Sequence, residues 1–498
     1  MNNNKFFLTT PIYYTNIPHI HSYSSLIADT IARYQMVNKK VKFSTVDENS
    51  QKAVLKAQEQ GMDIMAYLDL MAKHKAVWDL NINYTDFIRT TEKRHHDFVK
   101  SVLQKSWDND IYEVYEMYCV CEAFKKDEDL ILVDKKVCPD HLVEPQNLKE
   151  KNYFFRLSKY QDFLLELYSK NKEFVIPYDR FNEVIAFVNR LDDFSISRET
   201  NKFITLPFDD NQVTYVWYDA LFNYLTVCQN KEDFWPADLH IVKDIIRFHA
   251  IYWPAMLKSA YDIPKQILTT GFFTIDQKIS KSLNVIDPVE FCNKYNKDLL
   301  ELYLFSSFHI QDGDFDEKQA VLTYNAKLAN NLNLLNRVIV LSLKLKIDTY
   351  LFGEVDEMLK ENNLFLIEED LLSLLKRPTI FEYLDSFKVS MNQYDLKALD
   401  ITFSFLDKLN KYTDIKEPWK MIKDDSILEE TRNVLFTIAE LRVVLNLYCF
   451  FPGKMDLFLK LLNNYIERLG RELNLLLSEN TKFKITEKEN LYSRFEVN

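Results

Sequence analysis

Two stretches of this chain alternate short apolar strands with amphipathic helices, and that alternation limits the fold more tightly than any other feature. Lys5–Thr10 is an apolar-rich run of strand length, followed by helical periodicity over His21–Gln35 with Leu26, Ile27, Ile31 and Tyr34 on one face. Val41–Thr45 reads as a second strand, and Gln51–Gln60 as a helix that Gly61 can close in the left-handed conformation. The pattern resumes with a strand at Leu239–Val242, a helix over Asp244–Ser259 and a strand at Gln266–Thr270. Repeats of this kind build a parallel, doubly wound α/β sheet, here split by an insertion between its halves. Asp287 and Pro288 then supply a cap and a first-turn proline for a further helix. Beyond about Tyr324 the strand patterns stop. Helical periodicity runs through Lys327–Leu345, Ile380–Gln393, Asp395–Lys411, Ser426–Leu447 and Asp456–Ser478, which predicts a helix bundle.

Two segments with ionisable side chains sit where predicted strands hand over to a loop or helix. PIYYTNIPHIHSY (Pro11–Tyr23) places His19 and His21 at a helix start, and KISKS (Lys278–Ser282) places Lys278 and Lys281 on a polar loop. Helix N-termini attract anions and lysine ammonium groups neutralise spreading phosphate charge, so the pair suits a polyphosphate. Taken singly, each has a plainer reading: two surface histidines near a turn, and a solvated lysine–serine stretch.

Together with TTPIYY (Thr9–Tyr14), VDENSQK (Val46–Lys52) and YVWYDAL (Tyr215–Leu221), these segments resemble the signatures of class I aminoacyl-tRNA synthetases, and of the methionyl-tRNA synthetase family in particular. The resemblance covers nearly the whole chain and fades after about Pro452. It implies a Rossmann-like catalytic domain in two halves at 1–111 and 181–323. A connective insertion with a zinc knuckle lies between them at 112–180, and a helical anticodon-binding domain follows at 324–498. It further implies an ATP-dependent methionine–tRNA ligase acting on methionine and tRNA(Met), with ATP entering as its Mg2+ complex. In that reading His19 and His21 stabilise the α-phosphate, Lys278 and Lys281 act in catalysis, and Lys281 follows the pyrophosphate. Asp244 joins the ATP site, although it could equally be a plain helix cap. Ile12, Tyr14, Trp217, Leu221, Tyr224 and His249 line the methionine side chain, and Asp47 holds its α-amino group. Asn333, Arg337 and Trp419 read the anticodon. For the aromatic residues the alternative is ordinary core packing. Ile279 stands where the family usually has Met.

Composition bounds the rest. The length of 498 residues suggests about three domains, and a hydrophobic content of 47% supplies ample core. A formal charge of −12 argues against a generally adhesive nucleic-acid binder, yet a local basic stripe is compatible with tRNA. No apolar run approaches the ~18 residues of a membrane span; Arg442 and Asn446 interrupt the nearest, Leu441–Phe451. The N-terminus shows no signal-peptide pattern, so a soluble, cytoplasmic protein with no membrane partner is expected. No appended tRNA-binding module follows the bundle, which favours a monomer over a dimer. Six cysteines are too few for a disulfide framework, but Cys119, Cys121 and Cys138 cluster with His141. Four such ligands suit a closed structural zinc site. The Cys-X-Cys spacing departs from the commoner Cys-X-X-Cys, and an eroded knuckle with free thiols is the alternative.

Glycine is almost missing: 6 of 498 residues, where average usage of ~7% would give about 35. At several sites the chain is one residue short where the family has glycine: within His19–His21, and at Thr45–Val46, Phe203–Ile204, Val242–Lys243, Asp276–Gln277, Leu283–Asn284 and Leu332–Asn333. Histidines spaced i, i+3 share a helix face, whereas at i, i+2 they diverge. Two explanations remain at this level. Either glycines belong in these gaps, or the chain is a decayed, tRNA-binding paralogue. A class I synthetase for another amino acid is a further alternative. For valine, isoleucine or leucine the stretch 112–180 is too short for an editing insertion, and a cysteine enzyme would want its zinc among the substrate-binding residues.

Overall fold

The computed structural model describes residues 5–13, 23–36, 39–47, 51–73, 80, 82, 84–114, 117–120, 123–124, 131–132, 135–137, 146–148, 151–199, 203–229, 234–243, 245–271, 273–275, 277–278, 286–330, 341, 349–351, 380–427 and 482–484. The chain forms two compact units. The first comprises Met1–Ala28, Lys40–Phe272 and Ser280–Asp287, and the second Asp29–Lys39, Phe273–Ile279 and Pro288–Asn498. The second unit therefore takes in chain from Pro288 onward, ahead of the boundary expected near 324.

The first unit is built on six parallel strands: β1 (Lys5–Tyr13), β2 (Lys40–Asp47), β3 (Asp86–Arg89), β4 (Val175–Ile176), β5 (Leu239–Val242) and β6 (Ile267–Thr269). Their order across the sheet is β4-β6-β5-β1-β2-β3. Phe6, Phe7 and Leu8 are all buried, as are all four residues of β5, because helices cover both faces of such a sheet. Helix α1 (Tyr23–Met36) follows β1, and α2 (Gln51–Glu59) follows β2. Gly61 ends the α2 turn with φ +64°, and the Met62 N–H donates to the Ala57 carbonyl at 2.8 Å, the closure expected of a left-handed cap. The expected doubly wound sheet is present, with one revision. Strand β4 lies inside the stretch read as an insertion, yet it pairs with β6 as an edge of the main sheet. Two residues carry no readable period. The other described strands of that stretch form short antiparallel pairs, including Met117–Val120 with Ala123–Phe124 and with Gln146–Leu148.

The helix after β5 is not regular. It begins with a π-helical turn, Arg247–Tyr252, and continues as Trp253–Lys258. Pro254 explains part of this, since it has no N–H to offer the carbonyl of Ala250 four residues back. That carbonyl instead accepts a hydrogen bond from the buried Tyr168 hydroxyl. The surrounding core is aromatic, with Tyr168 edge-on to Phe174 and Phe181.

In the second unit, α3 (Lys297–Ser307) is capped by Asn296, whose side chain accepts from the Leu299 N–H at 2.7 Å. Its buried Glu301 and the buried Asp29 of α1 share Lys297, at 3.2 and 3.5 Å, and burial pushes the Glu301 carboxyl up to about 7. The helix expected from Lys327 starts earlier, at Glu317, capped by Asp316, and passes into a π-turn at Tyr324–Ala329. α4 (Ile380–Asn392) packs beside α5 (Ala398–Lys416). Strands do not stop at Tyr324: Thr349–Leu351 pairs antiparallel with Lys482–Lys484. Most of the helices expected over Ser426–Leu447 and Asp456–Ser478 lies outside the described residues. Among the described residues no helix is long and apolar enough to cross a membrane.

Replacing Tyr168 with Phe leaves the Ala250 carbonyl buried without its donor, which costs about 1–3 kcal/mol. The expected outcome is a lower urea midpoint for Tyr168→Phe. An unchanged midpoint would show that another group serves that carbonyl.

Candidate functional site

Three of the predicted side chains meet in the first unit, packed against β5, where His249 stacks on His240. Trp217 lies on the short helix Val216–Ala220, Tyr224 on Asn223–Thr226, and His249 on the π-turn. All three are buried. The Tyr224 hydroxyl lies 3.0 Å from His249 Nε2, and Trp217 stands edge-on to His249 with ring centroids 6.4 Å apart. Leu221 is buried in the same core as Tyr224.

The hydrogen bonds settle the imidazole's tautomer. His249 Nδ1 is 3.0 Å from the Ile245 carbonyl, which can only accept, so Nδ1 carries the hydrogen. Nε2 is then an acceptor, and the Tyr224 hydroxyl donates to it. Burial pushes the His249 imidazole down to about 4, with the Ile245 carbonyl resisting, so the ring is neutral at pH 7. A π-turn places His249 and Phe248 side by side, and Phe248 stacks on Trp217 at 4.4 Å. The result is an uncharged aromatic wall with one fixed hydrogen-bonded edge.

Sequence reasoning passed over several residues that build this wall. His240, on β5, stacks on His249 at 4.4 Å, and its Nδ1 shares a hydrogen with the Thr9 hydroxyl at 2.6 Å. Burial, then the neighbouring His249, holds His240 well below the usual imidazole range. Its Nε2 has no hydrogen-bond partner among the described residues. Trp253 closes the cluster, 4.8 Å from Tyr224 and 5.1 Å from His240. Asp219, two residues after Trp217, accepts from the Thr214 hydroxyl at 2.6 Å. Burial pushes its carboxyl up to about 8, against the Thr214 hydroxyl and the Ala220 N–H. A histidine in a strand of apolar neighbours gives no sequence signal beyond its oddity, and Asp219 reads as an ordinary helix residue.

The other predicted residues divide as follows. Ile12 lies in β1 opposite Val46, and Asp47 ends β2 between Tyr13 of β1 and Arg89 of β3. Lys278 belongs to a short strand that pairs with Thr274. Cys119 sits in Met117–Val120, opposite Phe124 and Gln146. Trp419 is half-buried in the turn Pro418–Met421, which follows the left-handed Glu417 (φ 46°). Tyr14, His19, His21, Asp244, Lys281, Asn333, Arg337, Cys121, Cys138 and His141 lie outside the described residues.

Known proteins supply the comparison. A family model described as class I tRNA synthetases (M) matches residues 6–147 and 121–339. A methionine–tRNA ligase of Synechocystis sp. is 38% identical over 476 residues, covering 90% of this chain and 87% of that one. One from Rickettsia bellii is 36% identical over 520 residues, covering 99% and 100%. Methionyl-tRNA synthetase of Mycobacterium tuberculosis, solved in complex with methionyl-adenylate, superposes with a TM-score of 0.88 at 29% identity, over 99% of this chain and 100% of that one.

The buried imidazole makes folding pH-dependent with a definite sign. Between pH 4 and 6.5 the unfolded chain takes up a proton that folded His249 refuses, so its contribution is full above 6.5 and is lost as pH falls toward 4. The loss amounts to about 3 kcal/mol. Asp219 acts in the opposite direction, because a raised carboxyl favours folding at low pH. Comparing His249→Gln with the parent chain isolates the histidine. Urea midpoints at pH 7 and pH 4.5 are expected to fall less in the variant, and equal losses would show that folded His249 titrates normally.

Proposed function

The chain belongs to the class I methionine–tRNA ligases, and from that premise we propose how its own residues carry the reaction. The observation that bears most weight is the neutral aromatic wall of Trp217, Tyr224 and His249 packed against β5. A thioether prefers polarizable rings to charge, and each sulfur–ring contact is worth ~0.3–1.5 kcal/mol. Ile12, Tyr14 and Leu221 complete the lining of the methionine side chain, and Asp47 takes the α-ammonium group. Tyr224 and His249 are mutually satisfied, so that end of the site asks no hydrogen bond of the substrate, as a methionine side chain requires.

ATP enters as its magnesium complex and meets His19, His21, Asp244, Lys278 and Lys281. The methionine carboxylate attacks the α-phosphorus, a P–O bond forms, and the bond to the β-phosphate breaks, leaving its electron pair on pyrophosphate. The two histidines and Lys281 stabilise the charge that spreads over the phosphates in this step. A hydroxyl of the terminal adenosine of tRNA(Met) then attacks the acyl carbon, and AMP leaves. Asn333, Arg337 and Trp419 contact the anticodon, with half-buried Trp419 offering a stacking face for an unpaired base. Cys119, Cys121, Cys138 and His141 have the donor chemistry of a tetrahedral zinc site, and they would hold a zinc ion that ties the small hairpins of the insertion together.

Methionine-dependent ATP–pyrophosphate exchange tests this reading on protein purified from its native cells. Exchange is expected with methionine and not with cysteine or valine. Trp217→Ala is expected to lower kcat/KM for methionine roughly 10- to 100-fold through KM, since the wall binds ground and transition states alike. Binding of tRNA(Met) without exchange on any amino acid would establish the decayed, tRNA-binding reading instead.

A further inference from the structure

We propose that the polypeptide made in its native cells carries glycine residues where this sequence closes up without them, one of them between Thr45 and Val46. Length separates this from ordinary sequence drift. Replacing glycines by other residues keeps a chain's length, whereas leaving them out shortens it. The match to the Rickettsia bellii ligase runs over 520 residues although this chain has only 498, so it contains at least 22 places where this chain has nothing. The shortfall of glycine against average usage is of the same size, about 29 residues.

The strand pairing is irregular at the place where the motif is one residue short. From Lys5↔Lys40 to Thr9↔Ser44, β1 and β2 run in constant register. The register then shifts, and Ile12 faces Val46 and Tyr13 faces Asp47, so β2 is one residue short of β1 across that step. Bulges are rare between parallel strands. One residue added after Thr45 restores a constant register along the whole of β1. Pairing of β2 with β3, now unbroken from Ser44↔Asp86 to Asp47↔Arg89, would then keep its register only up to Thr45. The cost of the shortage also shows where helices end. Left-handed positions are held by His309 (φ 53°) after α3, Tyr394 (φ 59°) after α4 and Glu417 (φ 46°) at the end of α5. Glycine is the usual occupant there, and side chains with a Cβ cost about 1–2 kcal/mol each.

Decay of function does not account for this pattern. A decaying protein loses its buried polar networks as readily as its turns, yet Thr9, His240, His249 and Tyr224 remain joined by hydrogen bonds and stacking. The site beside the slip is the one that matters for chemistry. A single added residue turns every later side chain of a strand to the opposite face, and Asp47 lies just beyond it. The simplest decoding is a triplet read as stop elsewhere and as glycine in this organism.

Peptide masses from native protein decide the matter. The tryptic peptides Phe43–Lys52 and Phe6–Arg33 are each expected to be heavier than their written residues by one glycine. Glu173–Arg180, which spans no gap, is expected at its written mass. A Phe43–Lys52 peptide at its written mass overturns the proposal. The outcome is independent of the ligase reading: a heavier peptide in protein without methionine-dependent exchange would sink that reading alone. An unchanged peptide in active protein would sink this one alone. As a second arm, recombinant chain with glycine inserted between Thr45 and Val46 and between Ile20 and His21 is expected to exchange at least 10-fold faster than the chain without them. No gain from the insertions counts against the proposal.

Discussion

The pairing of β1 with β5 is the contact on which the first unit depends. It joins Thr9 to His240 across 231 residues of chain, first as neighbours in the parallel ladder and again through a 2.6 Å hydrogen bond between their side chains. Closing so long a loop costs more entropy than one ladder contact returns, so the pairing stands only because burial on both faces accompanies it. Phe7 and Leu8 on one strand and Leu239 and Ile241 on the other supply that burial. Once the two strands are joined, the helix after β5 is delivered to the site, and His249 comes to rest on His240.

The second constraint is a proline. Pro254 removes one helical hydrogen bond, and the chain responds with a π-turn and a hydroxyl from Tyr168. Such turns add a residue to the helical circuit and so re-aim the side chains they carry. Here they present Phe248 to Trp217 and His249 to Tyr224. Desolvation then sets the electrostatics: it keeps both imidazoles neutral and pushes Asp219 toward its protonated form. An uncharged site suits an amino acid whose side chain has neither charge nor strong hydrogen-bonding groups.

Much of this was legible in the residues, and the misses have physical causes. The long apolar strands and the helices after them carry their own periodicity, and Gly61 announces the end of α2. Strand β4 was invisible because two residues have no period, and Thr349–Leu351 because its partner lies far along the chain. The helix at Glu317 begins ahead of its apolar periodicity because its start depends on a side-chain cap from Asp316. Of the candidate site, Trp217, Tyr224 and His249 are singled out by resemblance alone, since aromatic residues by themselves suggest only core. His240, Phe248 and Trp253 were missed because their part is to support other side chains, and such support is a matter of stacking distance.

What residue order settles is local: where strands and helices begin, which turns lack the glycine they need, and which families share the motifs. Those follow from backbone sterics and short-range periodicity, which act within a few residues. Folding decides what sequence distance hides. It selects the strand order, chooses the tautomer of His249 by setting a carbonyl against Nδ1, and exposes the one-residue slip between β1 and β2. Register, tautomer and protonation are properties of pairs of groups, and a pair does not exist until the chain has brought its members together.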